Sequence, residues 1–283
     1  MSSQEKIKEA LCRIDEGLDA INTDEDWLKF ITFQSAFYNY SFGNTMLIYM
    51  QNPEATYVKG YKGWNKLGRY VKKGETGIAI LAPCFKKKEA DKEETGDGEG
   101  RIISGFRVAY VFDLAQTDGD DTQLPVLVKG LAGDGEQEKA VYEKIKEYIS
   151  SKQPFEEVMG TAAKGSYSPE TGRICVRSDM DTVQKIKTII HEYAHCVDFT
   201  LNPDKKISRN KRELVAESSA YIVSSCLGLD TAGYSISYLH TWLKDRKEMK
   251  EIADTVQKVA STIINELAGV LGPAFFDIPE EPE

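Results

Sequence analysis

The sequence predicts an α+β chain of two domains, an N-terminal α+β domain over residues 1–127 and a mainly helical domain with a short antiparallel sheet over residues 128–283. Three observations carry this. Apolar residues recur at steps of three and four in long stretches near both ends of the chain; runs of strand length with alternating apolar residues lie between them; and a linker-like stretch, residues 114–135, separates the two groups. A length of 283 residues suits one large or two modest domains.

Taken in order, Ile7, Leu11, Ile14, Leu18 and Ile21 form one face of a first helix. "NTDEDW" offers N-caps for a second helix that continues through "WLKFITFQSAFYNYSFGNTMLIYMQ" and stops before Pro53. The glycine- and lysine-rich segment that follows reads as short turns with one short helix. "IAILAP" and "GFRVAYVFDLA" read as strands, the second with Phe106, Val108, Tyr110 and Phe112 on one face. Between them, residues 86–101 carry a single alanine and no larger apolar residue, so a solvated hairpin loop is expected. A helix follows over 136–150. "GSYSPETGRICVRSD" reads as a hairpin whose second strand, "RICVR", is the expected free edge. The next helix, capped by Asp179 or Asp181, buries Val183, Ile186, Ile189, Ile190, Ala194 and Val197. "KRELVAESSAYIVSSCLG" forms another, ending at Gly228 as its C′ residue, and 234–268 is helical in pattern.

The net charge of −9 excludes a uniformly basic nucleic-acid coat, though not a local basic patch. No apolar run approaches the roughly 18 residues of a membrane span, and the first residues lack the apolar core of a signal peptide. Five scattered cysteines without a C-x-x-C pair fit free thiols in a reducing, cytoplasmic setting.

Two of the three histidines stand four apart in "TIIHEYAHCVDF". On a helix, His191 and His195 then project from one face a turn apart, where two imidazoles can grip one Zn²⁺. Glu192, one position on, leans over the open side and can take a proton from water there, the logic of an H-E-x-x-H metal-dependent hydrolase. A third ligand is sought in "RELVAE". Glu213 and Glu217 share a helix face, and the spacing favours Glu213 on the metal with Glu217 behind an imidazole, leaving the reverse assignment open. The plain alternative is a helix with surface histidines; its difficulty is that Ile190 and Ala194 place the imidazoles near the core, where they need partners. An oxyanion donor is also required, and Tyr221, Tyr234 and His240 are the options. Cys196 points about 100° away from His195 and reads as buried and structural.

A second constellation lies in "YVKGYKGWNKLGRYVKK". Lys59, Lys62, Lys66, Arg69, Lys72 and Lys73 occur without one acidic residue, interleaved with Tyr57, Tyr61, Trp64 and Tyr70. Aromatic faces stack on exposed bases while cations neutralise phosphates, as single-stranded DNA requires. The same aromatics could instead fill a small core.

"YSFGNTMLIYMQNPEATYVKGYKGWNKLGRYVKKGETGIAILAP" with "GFRVAYVFDLAQTDG" resembles the N-terminal domain of ArdC-type antirestriction proteins and their LtrC-like relatives; "HEYAH", "RELVAESSAYIVSSCLGLD" and "YSISYLHTW" resemble the metallopeptidase half of that family. The resemblance spans about residues 25–245. It implies an N-terminal single-stranded-DNA-binding domain, a zincin-like peptidase domain, and protection of DNA entering on a mobile element. The second half resembles, more distantly, the repressor-cleaving ImmA/IrrE peptidases of gluzincin type, which implies Glu213 on the metal and Glu217 behind it. The expected partners are single-stranded DNA and a protein or peptide substrate, with no membrane. Two rival readings are a DNA-coating module with a structural metal, and a regulatory peptidase that cleaves a repressor.

Overall fold

The computed structural model describes residues 2–87, 101–122, 124, 135–160, 162–203, 206–229 and 246–272. The fold is α+β, and it divides into two compact units. One is built from residues 1–17 and 43–123, the other mainly from 18–42 and 124–280. Residues 18–42, expected with the N-terminal domain, thus fold with the second unit. Among the described residues, no helix is long and apolar enough to cross a membrane.

The chain opens with α1 (Ser3–Ala20), which buries Ala10, Ile14 and Leu18 but leaves Leu11 exposed. The aromatic run then makes two helices instead of one. α2 (Asp24–Ala36) starts at Thr23, whose hydroxyl accepts from Asp26 N–H while the Asp26 carboxylate accepts from Thr23 N–H. It stops at Phe37, and α3 (Phe42–Gln51) begins five residues later. The interruption has a physical cause within the second unit. The Tyr38 carbonyl accepts from Gln257 and, at 2.6 Å, from Ser261, so it is taken out of helical pairing.

In the first unit, β1 (Val58–Gly60), β4 (Arg101–Asp113) and β3 (Ile78–Lys87) form an antiparallel sheet in the order β1-β4-β3. The short helix α4 (Tyr61–Lys66) follows β1. A two-stranded ribbon pairs β2 (Arg69–Val71) with β5 (Thr117–Gly119). The edge of β3 is covered by side-chain amides of α3. Asn44 exchanges two hydrogen bonds with the Leu81 backbone, at 2.8 and 2.9 Å, and Gln51 two with Ala79, both at 2.9 Å. Those amides satisfy strand groups that would otherwise invite another strand. Of the expected loop at 86–101, residues 86, 87 and 101 are instead strand, continuing the β3–β4 pairing; the rest lies outside the described residues.

In the second unit, α5 (Glu136–Lys152), α6 (Thr182–Leu201), α7 (Arg209–Cys226) and α8 (Arg246–Leu271) pack with α2 around a core that includes Ile145, Ile186, Ile189, Ile222, Val256 and Ile263. Two carboxylates tie the layers. Glu157 accepts from Tyr142 at 2.7 Å, and Glu266 from Tyr193 at 2.8 Å. The small sheet has the order β6-β8-β7, from β6 (Phe155–Val158), β8 (Ile174–Arg177) and β7 (Gly165–Tyr167). It is mixed, not purely antiparallel, because β6 runs parallel to β8. "RICVR" is therefore the central strand, and the two edges are β6 and β7. The expected helical pattern over 234–245 lies outside the described residues, as does the C-terminal tail.

α6 and α7 are consecutive helices that pack together, and Ala194, Ala216 and Ala220 on them are fully buried. Asp198 and Arg212 lock them at 2.6 Å, both nearly inaccessible, with the guanidinium stacked 3.6 Å from the Phe199 ring centre. Removing one partner strands the other charge in the interior, so Asp198→Ala is expected to cost about 3–5 kcal/mol in urea denaturation. A loss below about 1 kcal/mol would show that the pair does not hold the helices.

Candidate metal centre and basic aromatic segment

α6 begins at Asp181, whose carboxylate accepts from Gln184 N–H at 2.8 Å. That cap starts the helix, and its apolar stripe, with Ile186, Ile189, Ile190 and Ala194, is buried. His191 and His195 fall at the margin of that stripe, looking towards α7, their rings 4.9 Å apart. α7 begins at Ser208 and ends with Gly228 at φ 69°, a left-handed residue at C′.

The two helices bring three donors together. Nε2 of His191 and Nε2 of His195 lie 3.7 and 3.5 Å from Glu213 Oε2. One donor atom from each residue lies within 4.8 Å of the other two. Ligands of a tetrahedral ion with bonds near 2.0–2.1 Å stand about 3.3 Å apart, so the triad has the spacing of three ligands around one ion. Glu217 takes the other position. Its Oε2 lies 2.8 Å from His191 Nδ1, where it fixes the ring and leaves Nε2 directed at Glu213. Of the two carboxylates that the spacing left open, Glu213 is the one that faces both imidazoles.

These contacts set the local protonation. Burial disfavours a charged His191, but the carboxylates of Glu213 and Glu217 outweigh it and raise its pKa from 6.5 to about 10. The imidazoles of His191 and His195 hold Glu213 well below the usual carboxylate range. Glu192 is 7% exposed. Burial pushes its carboxyl up, against the opposing pull of the imidazoles.

The centre lies in a cleft of about 1080 Å³. One wall is β7, the first strand of the expected hairpin. Gly165 comes so close to α6 that a methyl group there would sit 2.7 Å from Glu192 Oε1 and 2.6 Å from Thr188 Cγ2. Only glycine lets this edge strand run beside the glutamate. Tyr221 does not line the cleft; its hydroxyl lies 2.7 Å from Thr32 Oγ1. Tyr234 and His240 lie outside the described residues. Cys196 is buried.

The basic aromatic segment is divided by the fold. Trp64 is fully buried and its Nε1–H donates to the Phe112 carbonyl at 2.8 Å. Arg69 is buried as well. It donates to Thr117 and the Gly119 carbonyl and pairs with Asp121, tying β2 to β5. These two serve the first unit's packing. Tyr57 is half-buried against Trp64, with Lys59 Nζ 5.3 Å from its ring centre. Tyr61, Lys62, Lys66, Tyr70, Lys72 and Lys73 are exposed. Phe106 and Tyr110, which alternation placed on one strand face, are each about half exposed, at 52% and 49%.

Comparison with known proteins adds the following. Residues 5–112 match the family model of the N-terminal domain of anti-restriction factor ArdC. An uncharacterised protein of Bacillus anthracis is 26% identical over 310 aligned positions, which take in 93% of this chain and 52% of that protein. The chain thus spans about half the length of that relative. The crystal structure of the antirestriction ArdC protein from plasmid R388 in its Mn(II)-bound form shares the fold, with a TM-score of 0.55 and 19% identity over 92% of this chain and 97% of that one. Its metal-free form gives a TM-score of 0.49, with 20% identity over 81% of this chain and 86% of that one.

The raised His191 pKa has a consequence for the metal-free protein. The folded value exceeds the unfolded one, so the contribution is fully present below pH 6.5 and lost as pH rises through about 10. In chelator-treated protein the melting temperature is expected to fall between those limits, and His191→Gln is expected to flatten that fall. A wild-type curve already flat across the window would contradict the assignment.

Proposed function

We propose that this chain, which belongs to the ArdC-type antirestriction family, is an antirestriction protein of a mobile element in which one unit binds single-stranded DNA and the other is a zinc-dependent peptidase. One observation carries the catalytic half of this reading: the donor atoms of His191, His195 and Glu213 converge beside a buried Glu192 and a free strand edge. Support for the other half is the family match over residues 5–112, together with exposed Tyr61, Tyr70 and four exposed lysines. The solved relative is plasmid-borne by its description, which fits the mobile-element setting.

His191, His195 and Glu213 would hold the ion; two imidazoles and a carboxylate suit zinc, and the relative's manganese(II) makes the metal's identity part of the test. When bound, the ion supplies Lewis acidity to water and to the scissile carbonyl. Glu217 accepts the Nδ1–H of His191, so Nε2 keeps its lone pair for the ion. Glu192 takes the proton of the attacking water on its carboxylate and passes it to the leaving amine nitrogen. Burial raises its pKa above the usual carboxylate value, which makes it a better proton acceptor for the first of those steps. The edge of β7 holds an extended substrate by backbone hydrogen bonds. In the first unit, tyrosines stack on bases and lysines neutralise phosphates.

Two experiments test the halves separately. Comparison of cellular N-termini with wild type and with Glu192→Gln is expected to reveal cleavage products that vanish with the variant. Gly165→Ala, which pushes β7 off Glu192, is expected to lower cleavage at least about tenfold while metal content stays unchanged; identical product sets in all three would end the peptidase reading. For the first unit, oligo-dT is expected to bind with an affinity that falls steeply with salt, and Lys62→Ala/Lys66→Ala to weaken it and flatten the slope by about two counterions. No binding at low salt would remove single-stranded DNA as its ligand.

A further inference from the structure

The metal cleft carries a charge pattern that the catalytic reading does not use. On α6, Lys187 stands one turn before His191; on α7, Arg209 stands one turn before Glu213; both line the cleft. The helices run in opposite directions at the centre, since Glu213 faces His195 and His191 while Glu217, one turn on, faces His191 alone. Lys187 and Arg209 therefore lie at opposite ends of the cluster. Lys164, the residue before β7, adds a third cation at the Lys187 end. It is exposed, and its ammonium group has no partner among the described residues. Arg209 is 91% exposed, its Nε 3.6 Å from Glu213 Oε1. Among the described residues, the carboxylates lining the cleft are Glu192, Glu213 and Glu217, all at its centre. A fourth cation, Arg212, is neutralised by Asp198.

In a chain of net charge −9, a cleft whose rim is cationic at both ends is a local inversion of sign. With a divalent ion in place, Lys164, Arg209 and the ion outweigh the three carboxylates. We infer that the cleft selects acidic polypeptide, a segment with Asp or Glu on both sides of the bond to be cut. A helical turn of 5.4 Å corresponds to about two residues of extended peptide at 3.3 Å each, so the acidic side chains belong roughly two residues to either side. A peptide fits better than a phosphodiester strand because β7 offers a free edge of backbone donors and acceptors, and bases would find only Tyr167 and Phe199 among the lining aromatics. The inference rests on the peptidase reading for its purpose but on the rim charges for its content.

The test uses the full chain as Glu192→Gln, with and without zinc, and fluorescein-labelled peptides of one backbone whose flanks are acidic, neutral or basic. Fluorescence anisotropy at low salt is expected to show acidic flanks bound at least about tenfold more tightly than basic ones, with the gap narrowing as salt rises. Lys164→Glu and Arg209→Glu, both at exposed positions, are expected to shrink the preference singly and to abolish it together. Equal affinity for acidic and basic peptides, no detectable binding of any peptide, or a preference that survives both reversals would overturn the inference. So would displacement of the acidic peptide by oligo-dT in a manner lost on charge reversal, which would assign the rim to phosphates. Hydrolysis of an unbiased peptide pool by wild type separates the two readings. Cleavage without acidic preference sinks this inference alone, whereas acidic preference in binding without any cleavage sinks the peptidase and leaves the charge selection standing.

Discussion

Two imidazoles at the edge of a helical core set the terms for everything around them. His195 is nearly buried and His191 mostly so, and neither can stay there without partners for its ring nitrogens. The partners come from the neighbouring helix, which can supply them only if it lies close and in one rotation. The Asp198–Arg212 pair ties the two helices together in that arrangement. The result is a pair of carboxylates with different tasks one turn apart. Glu213 faces both Nε2 atoms, and Glu217 faces the far nitrogen of one ring.

The same helices explain why the centre sits in a cleft rather than under a roof. β7 leaves room because residue 165 has no side chain, and Glu192 occupies the space between strand and helix. A carboxylate there is desolvated yet next to open volume, and burial raises its pKa above the usual carboxylate value. The first unit has no comparable centre among its described residues. Its surface presents exposed tyrosines and lysines, on a frame held by Trp64 and Arg69.

Much of this was legible in the residues. The apolar stripe of α6, its Asp181 cap, the shared face of His191 and His195, the Gly228 terminus and the β3–β4 strands all follow from local periodicity and turn chemistry, because those features are local. What escaped the sequence is non-local. The break between α2 and α3 depends on Gln257 and Ser261, more than two hundred residues away, capturing the Tyr38 carbonyl. "FEEV" has too few apolar residues to announce a strand, so β6 was missed, and with it the fact that "RICVR" is central and β7 an edge. Trp64 and Arg69 read like their exposed neighbours until Phe112 and Thr117 are found beside them. The choice between Glu213 and Glu217 needed the rotation of one helix against another, which spacing alone does not fix.

The central claim is that one divalent ion is shared by His191, His195 and Glu213. Anomalous diffraction at the zinc edge from crystals of the zinc-loaded protein tests it most directly. The account predicts a single strong peak within about 2.0–2.3 Å of the two Nε2 atoms and a Glu213 oxygen, with Glu217 still on His191 Nδ1. A peak coordinated by Glu217 in place of Glu213, or none between the two helices, would contradict it.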